Sequence, residues 1–273
     1  MTINCKGQLI DLSVPKVMGI LNLTPDSFYD GGRYNNDKDI LSQTEKLLNE
    51  GATFIDLGAY SSRPNATHIS ETEELQRIIP VIELLIRNFP KILLSVDTFR
   101  SQIAHESIAA GACMINDISA GKLDEAMLPT VASLKVPYVM MHMRGTPQNM
   151  QGQTQYSNMM NEVLFYFSER ISKARALGVI DIIADPGFGF SKTVAQNFEL
   201  LNNLERFKTL ELPLLVGLSR KSLIYKTLNT TAQNALNGTT ILNTIALQKG
   251  AHILRVHDVK EAVESITLLQ QFS

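Results

Sequence analysis

Short apolar runs alternate with longer amphipathic stretches along this chain, and the alternation persists from end to end. Residues 17–21 form an apolar run that meets Asn22. Residues 37–50 then place Ile40, Leu41, Leu47 and Leu48 at helical spacing until Gly51 stops them. A run of four to six apolar or β-branched residues bounded by polar or glycine positions suits a strand covered on both faces. The same two-part unit recurs, predicting strands at 17–21, 53–57, 92–96, 112–115, 138–141, 179–184, 214–216 and 252–254. Helices are predicted at 37–50, 71–88, 101–110, 123–134, 157–177, 194–207, 223–228 with 235–249, and 259–271. Pro80 lies inside the second helix, where it should kink it or mark a restart. Residues 3–5 and 9–12 flank Lys6-Gly7 and suit a hairpin. Residues 143–156, rich in Gln, Gly, Thr and Pro without periodicity, read as a long mobile loop.

Eight strand–helix units in strict alternation predict an α/β fold: one (β/α)8 TIM barrel over residues 1–273, with a short N-terminal hairpin. In such a barrel, functional residues gather at the carboxyl ends of the strands. A doubly wound open sheet is the alternative. It needs a glycine-rich turn directly after an early strand, and Gly31-Gly32 lies too far beyond the strand end.

Composition narrows the function. With 273 residues and 44% hydrophobic content, the chain can bury a large core. Twenty-five basic residues against 27 acidic ones give a net charge of -2, which argues against nucleic acid or an anionic membrane as partner. No apolar run reaches membrane-spanning length, and the N-terminal residues lack the charged and apolar regions of a signal peptide. Cys5 and Cys113, far apart in sequence and without metal-ligand spacing, fit a reducing compartment. A cytoplasmic location is expected.

Asn22, Asp56, Asp97, Asn116, His142, Asp185, Lys221 and Arg255 all fall at or just beyond predicted strand ends. Asp185 closes the run 179–184 and precedes Pro186-Gly187, which cannot extend a ladder. A carboxylate so placed would accept two parallel N–H groups from the edge of an amino-pyrimidinone. Taken alone, it would cap the following turn equally well. Asp97, Asn116 and Asp185 together suit recognition of a heterocycle bearing several donors and acceptors, with acid/base catalysis as the rival use. Asp117 reads as structural.

Cationic groups come from separate loops. Lys221 and Ser222 follow the seventh strand and open a helix, Lys221 as a point charge and Ser222 as an N-cap hydroxyl. Arg255 and His257 follow the eighth strand, and Arg63 lies in the second loop. Together they point to a phosphorylated ligand. His257 is the most favourable histidine; His68 and His105 read as surface residues, His252 as facing core or helix, and His142 stays open. The first loop carries Asn22, Thr24, Asp26, Ser27 and Asp30, oxygen ligands that could complete a Mg2+ shell around a diphosphate. Phe28, Tyr29 and Tyr34 on that loop suit either a lid or local self-packing.

Eight motifs, in order and spanning nearly the whole chain, then carry a specific resemblance. They are Met18-Gly-Ile-Leu-Asn-Leu-Thr-Pro-Asp-Ser-Phe-Tyr-Asp-Gly-Gly, the segment from Gly51 through Asp56 to Arg63-Pro64, Ser95-Val-Asp-Thr, Ile115-Asn-Asp-Ile, Met141-His-Met, Asp185-Pro-Gly-Phe-Gly-Phe, Ser219-Arg-Lys-Ser and Arg255-Val-His-Asp. They resemble the motifs of the bacterial dihydropteroate synthase family. The resemblance implies a transferase of folate biosynthesis that condenses 6-hydroxymethyl-7,8-dihydropterin diphosphate with 4-aminobenzoate and releases pyrophosphate. It implies pterin contacts from Asp97, Asn116, Met140, Asp185, Phe190, Gly217, Lys221 and Arg255, with Asp97, Asp185, Lys221 and Arg255 carrying the catalysis. Diphosphate contacts would come from Asn22, Ser62, Arg63, Arg255 and His257, with Mg2+ on Asn22. Aminobenzoate contacts would come from Phe28, Pro64, Phe190, Lys221 and Ser222. A homodimer through the late helices and inhibition by sulfonamides are likewise implied.

The second loop departs from the family pattern at Ala59-Tyr60 and Asn65, where Tyr60 is bulky and Asn65 less permissive in backbone geometry. Two other functions share the barrel: a pterin-dependent methyltransferase domain, and a non-catalytic pterin-binding module. Ser61-Ser-Arg-Pro and Ser219-Arg-Lys-Ser argue against the first, and only the unusual second loop favours the other.

Overall fold

The computed structural model describes residues 1–23, 37–60 and 68–272. The expectations placed on Thr24, Asp26, Ser27, Phe28, Tyr29, Asp30, Tyr34, Ser62, Arg63, Pro64 and Asn65 lie outside the described residues.

The chain opens with an antiparallel hairpin, β1 (Thr2–Cys5) and β2 (Gln8–Asp11). Strands and helices then alternate as β3 (Lys16–Asn22), α1 (Asp37–Asn49), β4 (Phe54–Gly58), α2 (Glu71–Asn88), β5 (Leu94–Asp97), α3 (Ser101–Ala109), β6 (Met114–Asp117), α4 (Met127–Leu134), β7 (Tyr138–Met141) and α5 (Met159–Ala176). The sequence continues as β8 (Ile182–Asp185), α6 (Val194–Asn202), β9 (Leu215–Val216), α7 (Ser222–Thr227), α8 (Leu236–Gln248), β10 (Ile253–Val256) and α9 (Val259–Leu269). The sheet runs β8-β7-β6-β5-β4-β3-β10-β9, with every neighbouring pair parallel. A parallel bridge from Ala184 to Leu214, with Ala184 N donating to Pro213 O at 2.9 Å, joins its two ends. The barrel is therefore closed, and the open-sheet alternative is excluded.

Side-chain parity along the strands sorts the core into two layers. Met18, Phe54, Met114, Val139, Ile183, Leu215 and Ile253 cluster with Ile3, Cys5, Ile10 and Leu12, so the hairpin plugs the amino-terminal end of the barrel. The Cys5 and Cys113 thiols meet there as a hydrogen-bonded pair, both free. The opposite parity, including Ile55, Leu57, Val96, Ile115, Met140, Ala184 and Val216, packs outward against helix residues such as Ile78, Ile82, Ile103, Val131 and Phe167. Two residues beyond the lower inward layer, Asp56, Asn116, Met141, Asp185, Gly217 and Arg255 point inward again at the carboxyl-end mouth.

Local chemistry explains where elements start and stop. Ser70 caps α2 by accepting from Glu73 N at 3.1 Å, and the helix passes through Pro80 as one element rather than restarting. Thr193 and Gln196 form a capping box on α6, which ends at Asn202 and gives way to a 3-10 segment, Leu204–Leu210, where a continuous helix to 207 was expected. The helix expected from 123 begins at Met127, because the Asp124 carboxylate accepts from Ser101 N at 2.6 Å and Ala126 N at 2.9 Å and holds that stretch as a turn. Residues 143–156, expected as a mobile loop, are packed down instead. Met143 and Met150 are buried, and the Arg144 guanidinium sits 3.8 Å over the Tyr156 ring while bonding Gln155 O and Glu162. Among the described residues, no helix is long and apolar enough to cross a membrane.

Candidate active site

Strands β5, β6 and β10 run further than predicted, so Asp97, Asn116 and Arg255 belong to the strands themselves rather than to the loops after them. Ladder register then lines up Asn22, Gly58, Asp97 and Asn116 as lateral neighbours on β3 to β6. A Cβ built on Gly58 would lie 3.5 Å from Asn22 Oδ1 and 3.9 Å from Asp97 Oδ2, so the glycine leaves these two oxygens facing one space.

Arg255 organises this side of the mouth. Its Nε donates to Asp56 Oδ2 at 2.6 Å and its Nη2 to Asp97 Oδ2 at 2.9 Å, and Asn116 Nδ2 donates to the same Asp56 oxygen at 3.0 Å. Burial works against the guanidinium charge, but Asp56 and Asp97 more than offset it, and its pKa is raised. Burial pushes the Asp97 carboxyl up to about 7, with Arg255 opposing and Asp56 adding to the rise. Asp56 has the second oxygen, Oδ1, buried and without a partner among the described residues.

Asp185 faces this group from β8. Its Oδ1 accepts from Gly187 N at 2.8 Å, and no hydrogen-bond donor among the described residues reaches Oδ2. Burial raises its pKa, opposed by Lys221. Lys221 Nζ donates to Phe188 O at 2.6 Å and stands 5.1 Å from the centre of the Phe190 ring; burial lowers its pKa to about 8, with Asp185 opposing. Lys221 and Arg255 are drawn together: a Cβ on Gly217 would meet Lys221 Nζ at 3.6 Å and Arg255 Cβ at 3.9 Å. The structure thus brings Asn22, Asp97, Asn116, Asp185, Phe190, Gly217, Lys221 and Arg255 to one mouth. His257 stands beside it, with its Nδ1 3.0 Å from Ser219 Oγ.

Two placements correct the sequence reading, those of Met140 and of the cap of α7. Met140 points into the outer core between strands and helices, because alternation along β7 turns Met141 inward, where it packs with Phe190. Lys221, not Ser222, is the N-cap of α7, and neither side chain caps it; Ser222 is the first helical residue. Arg220 is turned away from the mouth and grips Asp258, with Nε 3.0 Å from Oδ2 and Nη2 2.5 Å from Oδ1. Tyr60, the unusual residue of the second loop, is buried edge-on to Phe99 at 5.1 Å, its hydroxyl 3.2 Å from His68 Nδ1 and accepting from Gln148 Nε2 at 2.8 Å. Asp117 is structural, accepting from Ser119 N, Ser119 Oγ, Gly121 N and the Tyr138 hydroxyl.

Sequence reasoning missed Lys192. It is 6% exposed, and its Nζ lies 3.0 Å from His142 Nδ1, Gly187 O and Phe190 O. Nothing in its sequence neighbourhood marks it as buried, since it follows a glycine-rich turn and precedes a helix.

A closed barrel whose mouth sets three carboxylates and an amide against two half-buried cations is built to hold a flat polar ring joined to an anionic group. Residues 18–257 match the family described as pterin binding enzyme, and the chain belongs to that family. Dihydropteroate synthase of Escherichia coli (strain K12) is 43% identical over 272 residues, covering 99% of this chain and 96% of that protein. The crystal structure of Yersinia pestis dihydropteroate synthase with a sulfonamide drug has a TM-score of 0.94 at 43% identity, covering 100% of this chain and 99% of that one. Dihydropteroate synthase from Xanthomonas albilineans in complex with 7,8-dihydropteroate has a TM-score of 0.90 at 37% identity, covering 100% and 98%. Within the family the chain therefore stands with the dihydropteroate synthases, transferases of folate biosynthesis.

Proposed function

We propose that the mouth binds 6-hydroxymethyl-7,8-dihydropterin diphosphate and joins it to 4-aminobenzoate, giving 7,8-dihydropteroate and pyrophosphate. The observation that carries this reading is the convergence of Asp97 and Asp185 with Lys221 and Arg255, the last two meeting beside Gly217. Asp185 Oδ2 would accept from the amino-pyrimidinone edge, with Asn116 and Asp97 completing the polar rim; the Oδ1 bond to Gly187 N, which leaves Oδ2 without a donor among the described residues, supports this. Gly217 keeps that space open, while Phe190 and Met141 offer it apolar surface. Arg255 and His257, with Ser62 and Arg63, are the groups assigned to the diphosphate. Phe28, Pro64, Phe190, Lys221 and Ser222 are assigned to the aminobenzoate.

The chemistry follows from charge. An electron-rich dihydropterin can stabilise a cation at its exocyclic carbon as the C–O bond to diphosphate breaks. The aniline nitrogen then forms the new C–N bond and loses a proton. No protein nucleophile is needed, so the chain contributes orientation and electrostatics. Asp97 and Asp185 favour the cationic ring, and Lys221 and Arg255 favour the departing anion.

Mg2+ fits this site. Among the described residues no group of three or more His, Cys, Asp or Glu side chains is arranged to hold a metal, but Asn22 Oδ1 faces the mouth opposite Asp97. One neutral protein oxygen suits an ion that keeps most of its waters and takes its remaining ligands from phosphate. Asn22 would hold it, and the ion would neutralise diphosphate charge. Sulfonamides are proposed as inhibitors at the aminobenzoate subsite, in line with the drug complex of the Yersinia pestis enzyme. A homodimer through α8 and α9 is supported by the exposed Ile241 and Leu268 on those helices, and a cytoplasmic location by two free buried cysteines.

The deciding experiment incubates the purified chain with the pterin diphosphate, 4-aminobenzoate and Mg2+ and measures pyrophosphate. Release that depends on both substrates is expected. Pterin binding without release would leave a non-catalytic module, and methyl transfer from a methylated pterin without release would leave a methyltransferase domain.

A further inference from the structure

The turn from Asp185 to Phe190 is held by two lysines, Lys192 buried and Lys221 half-buried, that bond three of its carbonyl groups between them. Lys221 Nζ donates to Phe188 O at 2.6 Å, and Lys192 Nζ donates to Gly187 O and Phe190 O, each at 3.0 Å. The turn is also docked on the end of β7: His142 N donates to Asp185 O at 3.0 Å, and a Cβ on Gly187 would lie only 2.1 Å from His142 O. Asn197 anchors the far side, its Oδ1 accepting from Gly189 N at 2.7 Å and its Nδ2 donating to Lys192 O and Thr193 O.

An ammonium group has three N–H donors and no acceptor. Lys192 meets three acceptors at 3.0 Å: two carbonyl oxygens and His142 Nδ1. The fit requires a neutral imidazole with its lone pair on Nδ1. Burial supplies that by holding His142 well below its ordinary pKa, helped by the charges of Lys192, Arg144 and Lys122. Burial also lowers the pKa of Lys192 to about 7, opposed by Asp185 and assisted by Lys221 and Arg144. A buried ammonium is a costly way to satisfy two backbone carbonyls, and a neutral amide or a water would do so at lower cost. In its protonated form Lys192 is a three-point anchor on the segment that presents Asp185 and Phe190.

We propose that Lys192, seated on neutral His142, is a positioning residue for the pterin subsite, fixing the Gly187 and Phe190 carbonyls so that Asp185 and the Phe190 ring meet the ligand in binding geometry. This rests on the reading that Asp185 binds the pterin ring. Lys192 itself touches no substrate.

The test compares Lys192→Met, Lys192→Arg, His142→Leu and His142→Gln with wild type. Lys192→Met keeps the stem and removes every donor, so the KM for the pterin diphosphate is expected to rise about ten-fold or more, with kcat changing less. Lys192→Arg, which keeps charge and donors, recovers part of that loss. His142→Leu takes one acceptor from Lys192 and gives an intermediate KM, while His142→Gln, which offers an oxygen in its place, stays near wild type. A purely structural lysine would lower the melting temperature and leave the pterin KM of the folded enzyme unchanged. If Lys192→Met does not fold, the two His142 variants decide. Wild-type pterin KM in both Lys192→Met and His142→Leu, or in His142→Leu alone where the methionine variant does not fold, overturns the proposal. Asp185→Asn is the control: normal pterin binding in that variant would sink the site reading itself. Loss of binding there, with normal binding in the Lys192 and His142 variants, would sink only the role of Lys192.

Discussion

Arg255 and Asp56 stand 199 residues apart in sequence and meet at 2.6 Å inside the barrel, where Asp56 is fully buried. β10 pairs with β3 and β3 with β4, so the contact exists because the last strand of the chain lies beside the first strand of the barrel. The same Asp56 oxygen accepts from Asn116, so one buried acid aims two residues assigned to the pterin. Asp56→Ala would leave a guanidinium and an amide without their shared acceptor. The expected cost is on the order of 3 kcal/mol in stability, together with a lower kcat/KM for the pterin diphosphate. Urea denaturation and steady-state kinetics check both; wild-type stability in the variant would refute the organising role of Asp56.

Asp97 makes the mouth of the barrel sensitive to pH. Its folded pKa of about 7 lies above the ordinary value of 3.8, so between those limits the folded chain holds a proton that the unfolded chain has released. The contribution is present in full below about pH 4 and is lost as pH rises through 7, opposite to the usual behaviour of an ion-paired acid. Three pKa units set an upper bound of about 4 kcal/mol, and the Arg255 pairing and partial exposure of the side chain make the real slope smaller. Asp97→Asn is expected to flatten the stability profile between pH 5 and about 8 and to be the more stable protein, without ligand, at the upper end. Denaturation curves at four pH values would reveal parallel profiles if the idea is wrong.

The architecture was legible because most strands run into a polar or glycine position and the longer helices have 3.6-residue apolar spacing, signals that survive without tertiary information. Asp97, Asn116, Asp185 and Arg255 could be placed at the mouth for the same reason. Met140 and Met141 could not be told apart, since residues 138–141 are apolar on both faces and show no alternation. Lys192 was invisible because its burial depends on His142, which is 50 residues distant in sequence. The helix expected from residue 123 was cut short by a side-chain acceptor, Asp124, whose partner Ser101 lies on another unit.

Two glycines of the same turn should respond differently to a methyl group. Gly187 has φ +72, and its added Cβ would meet the His142 carbonyl at 2.1 Å, a backbone atom that cannot yield without moving β7. Gly189 has φ +81, but its nearest neighbour is the flexible Lys221 stem at 3.3 Å. Gly189→Ala should cost about 1 kcal/mol, from the backbone alone. Gly187→Ala should cost several-fold more, roughly 3 kcal/mol or above, and displace Asp185. Equal melting temperatures for the two variants would contradict the docking of the turn on β7.

The two methionines of β7 separate packing from binding. Met140 is fully buried against the helix layer, so Met140→Ala should open a cavity and cost about 2–5 kcal/mol, while the folded enzyme keeps its pterin KM. Met141 shares the mouth with Phe190, and its Cγ would sit 3.3 Å from a Cβ on Gly187. Met141→Ala should therefore raise the pterin KM, by roughly ten-fold, because it loosens the cluster on which Phe190 packs at the mouth. Stability curves and pterin titrations on both variants give a crossed pattern if strand parity is assigned correctly. The reverse pattern, with Met140→Ala weakening the pterin and Met141→Ala only loosening the fold, would mean that β7 is rotated by one residue. Asp185, paired with Met141 in the ladder, would then lose its neighbour at the mouth.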